Sequence, residues 1–260
     1  MEPLHGETGG EGMRLYLGTW QMKHIERSSK PLMVSMRQLW KGRRFKPFSQ
    51  RGFLALDSGG FTELTMNGKW SVSPLEYVER INHYEPLGLT FDFATQQDWM
   101  CEPIMLENTG LTVREHQRRT VDNFLELRTL DCDTPIIPVL QGYALDEYKD
   151  CFEMFESSGV DLRAESLVGL GSVCRRQSSD DIERIVSYFH AKDLRLHGFG
   201  VKTNGLKKYG EMLSSVDSMA WSFDARYGQR HCSVHANEPK TPSCNNCLTY
   251  AEEWHDRVIA

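Results

Sequence analysis

No apolar run in this 260-residue chain approaches the roughly 18 residues that a membrane-spanning helix requires. A soluble protein with no membrane partner is expected. The opening MEPLHGETGGEG is acidic and glycine-rich and lacks the basic and apolar regions of a secretory signal. Residues 1–12 are expected to form a disordered tail. No low-complexity linker interrupts the rest of the chain, so residues 13–260 read as one domain. Positive charge is in short supply: 30 Lys and Arg against 36 Asp and Glu leave a formal charge of −6. Such a body is not coated for tight nucleic-acid binding, although a local basic groove is compatible with it. An even disulfide framework is missing as well. Of seven cysteines, Cys101, Cys132, Cys151 and Cys174 are scattered and three gather near the end, which suits a reducing cytoplasm and a metal site.

From Met13 onward, short β-rich runs alternate with longer amphipathic ones, and that alternation is the fold signal. The strand candidates are RLYLG (14–18), PLMVS (31–35), FLALDSG (53–59), LTFDFAT (89–95), IIPVLQG (136–142), SLVGLGS (166–172), LRLHGFG (194–200) and SMAWS (218–222). Helices are expected over 74–84, 112–130, 145–159, 178–193 and 206–216. Ser73 and Pro74 form a good helix start, and Ser and Asp residues from 178 cap another. Eight strands in strict alternation with helices predict an α/β fold, a closed (β/α)₈ TIM barrel of ordinary length. A dinucleotide-binding sheet would carry Gly-x-Gly-x-x-Gly after its first strand, and none is there. No His-x-His follows that strand either, which disfavours a metal-dependent amidohydrolase barrel. KGRRFKPF, at 41–48, reads as a solvated basic loop.

A TIM barrel builds its active site at the C-terminal ends of its strands, so polar residues there carry information. The third strand ends in Asp57-Ser58-Gly59-Gly60 and the fourth in Gln96-Gln97-Asp98. Gln141-Gly142, Gly169-Leu170-Gly171-Ser172 and Gly198-Phe199-Gly200 close the next three, Lys202 follows, and the eighth opens on Asp217. Each is ordinary alone, as a turn, a cap or a packing glycine. Together they describe a cup of three carboxylates, an amide and several glycines, suited to a planar heterocycle.

With these residues in order, the chain resembles the tRNA-guanine transglycosylase superfamily, and within it the short DNA 7-deazaguanine transglycosylase-like proteins of phages and actinobacteria. DSGGF at 57–61 is similar to the family's base-binding motif, and FDFATQQD keeps its spacing of six between Asp92 and Asp98. LQG, GLGS and GFG fall in the family's order, and DSMAWSFDAR at 217–226 resembles its archaeal-type nucleophile segment. The resemblance implies exchange of guanine in a nucleic acid for a 7-deazaguanine of the preQ0 kind, through a covalent glycosyl-aspartate. Asp217 would be the nucleophile and Asp57 the general acid and base. Ser58, Gly59, Asp98, Gln141, Gly142, Gly169 and Gly198 would bind the base, and Lys202 and Arg226 would reach phosphates. A gapless alignment to bacterial relatives puts Ala220 at the nucleophile position, and Asp224 is the second candidate. The absence of an extra RNA-binding domain favours DNA over tRNA as the polymer. A tRNA-directed enzyme and a catalytically silent partner subunit are the alternatives. Family relatives are often dimers, so a homodimer is compatible.

The end of the chain offers Cys232-x₂-His235 and Cys244-x₂-Cys247, good spacing for tetrahedral zinc. The family also carries a structural zinc near its C-terminus, within what is here 230–260. Cys232, His235, Cys244 and Cys247 are the expected ligands, with His255 as the alternative to His235. Four protein ligands leave no open position, which makes the zinc structural.

Overall fold

The computed structural model describes residues 12–42, 46–174, 176, 180–236 and 243–260. The expected tail at 1–11, the centre of the basic loop at 43–45 and the caps at 178–179 lie outside the described residues. Among these residues, nine parallel strand segments form one sheet: β1 (Arg14–Gly18), β2 (Leu32–Ser35), β3 (Leu54–Asp57), β4 (Phe93–Thr95), β5 (Ile136–Ile137), β6 (Val139–Leu140), β7 (Val168–Leu170), β8 (Leu196–Gly198) and β9 (Ser215–Ser218). Their order is β5-β4-β3-β2-β1-β9-β8-β7-β6. The two ends of that order, β5 and β6, are consecutive in the chain and separated only by Pro138. The expected strand at 136–142 therefore pairs with β4 through its first half and with β7 through its second. The barrel closes through it, and eight strands become nine segments.

Pro138 causes the split because it has no N–H to give to the ladder. A side chain bridges the gap: Gln96 Oε1 accepts the Val139 N–H at 3.1 Å, while Gln96 Nε2 donates to the Thr120 carbonyl at 2.7 Å. The amide of Gln96 is thus spent on barrel closure.

Around the barrel lie α1 (Met36–Lys41), α2 (Gly60–Asn67), α3 (Pro74–Asn82), α4 (Pro103–Thr109), α5 (Val113–Leu127), α6 (Leu145–Ser157), α7 (Asp180–His190), α8 (Thr203–Tyr209), α9 (Ala220–Tyr227) and α10 (Leu248–Ile259). The side chain of Ser73 accepts the Glu76 N–H at 3.2 Å, as its place before Pro74 predicts. Outward-facing strand residues such as Leu15, Val34, Leu56 and Val216 pack against these helices in the main core. Their inward neighbours Tyr16, Met33, Ala55, Phe93 and Ile137 form a separate apolar plug inside the barrel. Strand alternation then sets Ser35 and Asp57, two residues beyond Met33 and Ala55, one layer above that plug, while Asp217 faces inward beside Tyr16.

One boundary differs from the sequence expectation. The eighth barrel strand is β9 (Ser215–Ser218), not 218–222, and Ala220–Tyr227 is helix. Trp221, Ser222 and Ala225 are buried at helical spacing, and the Trp221 indole donates to the Gly18 carbonyl at 3.0 Å. The helix expected over 206–216 correspondingly shortens to α8 and one 3₁₀ turn at Gly210–Met212. Asp217 therefore lies within the strand, opposite Tyr16 of β1, rather than ahead of it.

Candidate active site

β3 ends on Asp57 and β9 carries Asp217 one residue before its end, and both side chains line one cleft at the C-terminal mouth of the barrel. Burial pushes the Asp57 carboxyl up to about 6, and the negative charge of Asp217 adds to the rise. Hydrogen bonds from Ser35 and from the Gly59 N–H, the latter at 3.1 Å, act in the opposite direction. Gly59 holds a left-handed φ of 87°, and a Cβ there would come within 3.0 Å of Ser35 Oγ. The turn that returns its N–H to Asp57 accordingly favours glycine.

Asp98, three residues beyond the end of β4, is only 6 % exposed and does not line that cleft. Burial first, and the charge of Asp57 second, raise its carboxyl to about 7. Gln141 Nε2 donates to its Oδ2. Gln141 is fully buried and held from several sides: Gln117 Nε2 donates to its carbonyl at 2.9 Å, and Ser172 Oγ lies 2.7 Å from its Oε1. Ser172 Oγ also accepts the Cys101 N–H at 2.8 Å and lies 2.8 Å from Glu102 Oε2. Glu102 in turn lines the cleft. Ser172 adopts a φ of 56°, an uncommon conformation for a residue with a Cβ. Gly171 is required here by space, since a Cβ would stand 2.1 Å from Gln141 Nε2.

The other expected base-binding residues have varied placements. The Ser58 N–H donates to Thr95 Oγ1 at 2.9 Å, while its buried Oγ has no hydrogen-bond partner. The Gly169 N–H is taken by the Pro138 carbonyl at 2.8 Å, and the Phe199 ring packs over its Cα. Gly142 abuts Glu147 and Tyr148 of α6, and Gly198 faces Val201 and Leu213. Lys202 lies on the cleft at the N-cap of α8. Ala220 opens α9 and has no acidic group to offer. Asp224 is engaged elsewhere, accepting the Tyr250 hydroxyl at 2.6 Å and pairing with Arg230 at 3.3 Å.

One residue absent from the sequence expectations stands beside Asp217. His197, on β8, is fully buried between the rings of Tyr16, Phe93 and Phe199. Its Nδ1 is 2.8 Å from Ser215 Oγ, and its Nε2 is 3.7 Å from Asp217 Oδ1 with no hydrogen-bond partner of its own. The same Oδ1 accepts the Gly200 N–H at 2.7 Å. The inward alternation of LRLHGFG was the available signal, but a lone histidine in an apolar strand does not announce its neighbours.

Away from the barrel mouth, the ligand atoms of Cys232, His235, Cys244 and Cys247 all lie within 4.8 Å of one another. His235 Nδ1 is 3.1 Å from Cys232 Sγ and 3.4 Å from Cys244 Sγ, and Cys232 Sγ is 3.8 Å from the Sγ atoms of both other cysteines. A tetrahedron with Zn–S of about 2.3 Å and Zn–N of about 2.0 Å has edges of roughly 3.5–3.8 Å. These four residues could hold a zinc ion. His255 stands outside this group, its Nε2 donating to the Leu15 carbonyl at 3.1 Å.

A family model described as DpdA, DeoxyPurine in DNA protein A, matches residues 12–260. The chain belongs to the DpdA family. The family's description concerns deoxypurine in DNA. No curated protein matches the chain. Among solved structures, it is similar to a Sinorhizobium meliloti protein provisionally described as an isomerase, with 13 % identity, a TM-score of 0.38 and coverage of 79 % of this chain. The match spans half the length of that protein, and it bears on neither fold nor activity. Among the described residues, no helix is long and apolar enough to cross a membrane.

Proposed function

We propose that this DpdA-family chain exchanges guanine in DNA for a 7-deazaguanine base of the preQ0 kind, with Asp217 as nucleophile. The observation carrying the proposal is the convergence of Asp57 and Asp217 on one cleft, with an Asp98 that feels the charge of Asp57 and is fastened to Gln141. Attack of an Asp217 oxygen on C1′ forms a glycosyl ester as the C1′–N9 bond breaks, and the departing guanine needs a proton. Asp57 supplies it. With its carboxyl near 6, it is close enough to neutrality to give that proton and then take one from the incoming base. The incoming N9 attacks C1′ from the vacated side, Asp217 leaves, and two inversions give net retention.

Asp98 and Gln141 present an acceptor and a fixed amide to the edge of the purine, together with Ser58, Gly59, Gly142, Gly169 and Gly198 at the surrounding strand ends. Lys202 and Arg226 contact phosphates. His197 acts as a positioning residue: its Nε2 faces Asp217 Oδ1, and the Gly200 N–H fixes the same oxygen, aiming the other oxygen at the cleft. Zinc at Cys232, His235, Cys244 and Cys247 would tie the segment before α10 together and take no part in the reaction.

Incubation with a tritiated 7-deazaguanine and either DNA or tRNA tests the proposal. Label is expected in DNA, and a denaturation-resistant protein–DNA adduct is expected to form and to be lost in Asp217→Ala. Label in tRNA alone, or exchange that survives Asp217→Ala, would overturn it.

A further inference from the structure

The helix that follows the nucleophile strand leaves an apolar stripe in the open. Met219, Phe223 and Tyr227 recur every four residues through α9, and Phe223 and Tyr227 are 65 % and 68 % exposed. Their rings lie 4.4 Å apart with a tilt of 39°. All three line the same cleft as Asp217, and the stripe starts two residues after it. Exposed aromatic rings of this size cost hydration free energy unless something covers them. Charge beside the stripe suggests what does: Arg226 is exposed on the same helix, and Arg230 follows its C-terminus. Lys202 stands across the cleft. On a body of net charge −6, cations beside stacked rings suit a ligand with alternating phosphates and planar bases.

We propose that the Met219–Phe223–Tyr227 face of α9 is a docking surface for the DNA strand that carries the target nucleotide. Its rings stack on the bases next to that nucleotide once it has left the helix. The idea rests on the base-exchange reading of the cleft and deepens it. A guanine cannot reach Asp217 from within a duplex, so it must be extruded, and its neighbours then expose faces that need partners. Phe223 and Tyr227 supply such partners along α9, with Arg226, and Arg230 beside its ion pair with Asp224, near the flanking phosphates. Insertion of apolar side chains beside a disturbed base step is a general means of holding DNA open.

Fluorescence anisotropy with labelled duplex DNA, for the unaltered protein and for Phe223→Ala, Tyr227→Ala, their combination and Tyr227→Phe, tests the surface. Each alanine is expected to weaken DNA binding by roughly 5- to 150-fold, the range for loss of one stacked base. Tyr227→Phe, which keeps the ring, should bind like the unaltered protein. Both rings are exposed, so thermal unfolding should be unchanged and should exclude misfolding as the cause. DNA affinity within twofold of the unaltered protein in the double variant would overturn the proposal. So would a double variant that loses self-association in sedimentation but keeps its DNA affinity, which would assign the face to a second copy of the chain. Transfer of labelled base by the unaltered protein is scored separately. Absent transfer alongside ring-dependent DNA affinity would sink the base-exchange reading and leave the docking surface supported.

Discussion

Replacing Asp98 with Asn should stabilise the protein at neutral and alkaline pH while removing base exchange. In the folded chain the Asp98 carboxyl is raised from 3.8 to about 7 by burial and by the charge of Asp57. A carboxyl raised on folding binds more protons in the folded than in the unfolded state between those two values, so its ionisation opposes folding as pH rises through them. The penalty is absent below the unfolded value and complete above the folded one. A difference of about three units at ~1.36 kcal/mol each sets a ceiling of ~4 kcal/mol above about pH 7. Relaxation and water entry reduce it, and ~2 kcal/mol is a working figure, equivalent to about 4–8 °C in Tm for a chain of this size. Asn keeps an oxygen to accept from Gln141 Nε2, so the hydrogen bond survives the change. Urea unfolding of both proteins at about pH 5 and pH 8 measures the effect, and the advantage of the variant should widen toward the higher pH. A variant less stable than the parent at pH 8, or a gap that ignores pH, would refute a buried, strained carboxyl.

Three further outcomes are expected. His197→Asn should lower the rate of adduct formation by up to roughly 100-fold, the cost of misplacing a reacting group, while leaving the KM for the free base nearly unchanged; equal losses in both would mean a merely structural histidine. Gly171→Ala should destabilise by about 1–3 kcal/mol, the usual cost of overpacking, and displace Gln141, which is readable as lost binding of the 7-deazaguanine in calorimetry. Cys244→Ser should lower zinc content by elemental analysis and depress the melting temperature, whereas His255→Gln should leave zinc content intact.

The barrel was legible because each strand repeats the same local message, a short apolar run ending in polar residues. Asp57 and Asp98 could be singled out because strand ends point one way in a parallel barrel. The end of the last strand could not be placed locally. SMAWS is short enough to suit strand or helix, and what decides it is Trp221 donating to Gly18, 203 residues away in sequence. The choice between His235 and His255 had the same character. Spacing permits either histidine, and only the fold shows that His255 lies outside the cluster, bonded to Leu15, 240 residues distant. His197 was invisible for a related reason, since Ser215 and Asp217 come beside it only when β8 and β9 pair.

The placement of the acids also explains why strand ends are where such chemistry collects. Tyr16, Met33, Ala55, Phe93 and Ile137 fill the barrel below, and they supply the low-polarity floor that lifts the Asp57 carboxyl above its ordinary value. One layer lower, a carboxyl would meet that apolar filling, with no route to a substrate. One layer higher, a carboxyl open to water would return to its ordinary value and its orientation would be lost. Asp57 occupies the level between, where burial and access coexist, and Asp217 reaches the same cleft from beside Tyr16. The cost of holding charge there is offset by the closed ladder beneath, and Gln96 bridging the break at Pro138 helps keep that ladder closed.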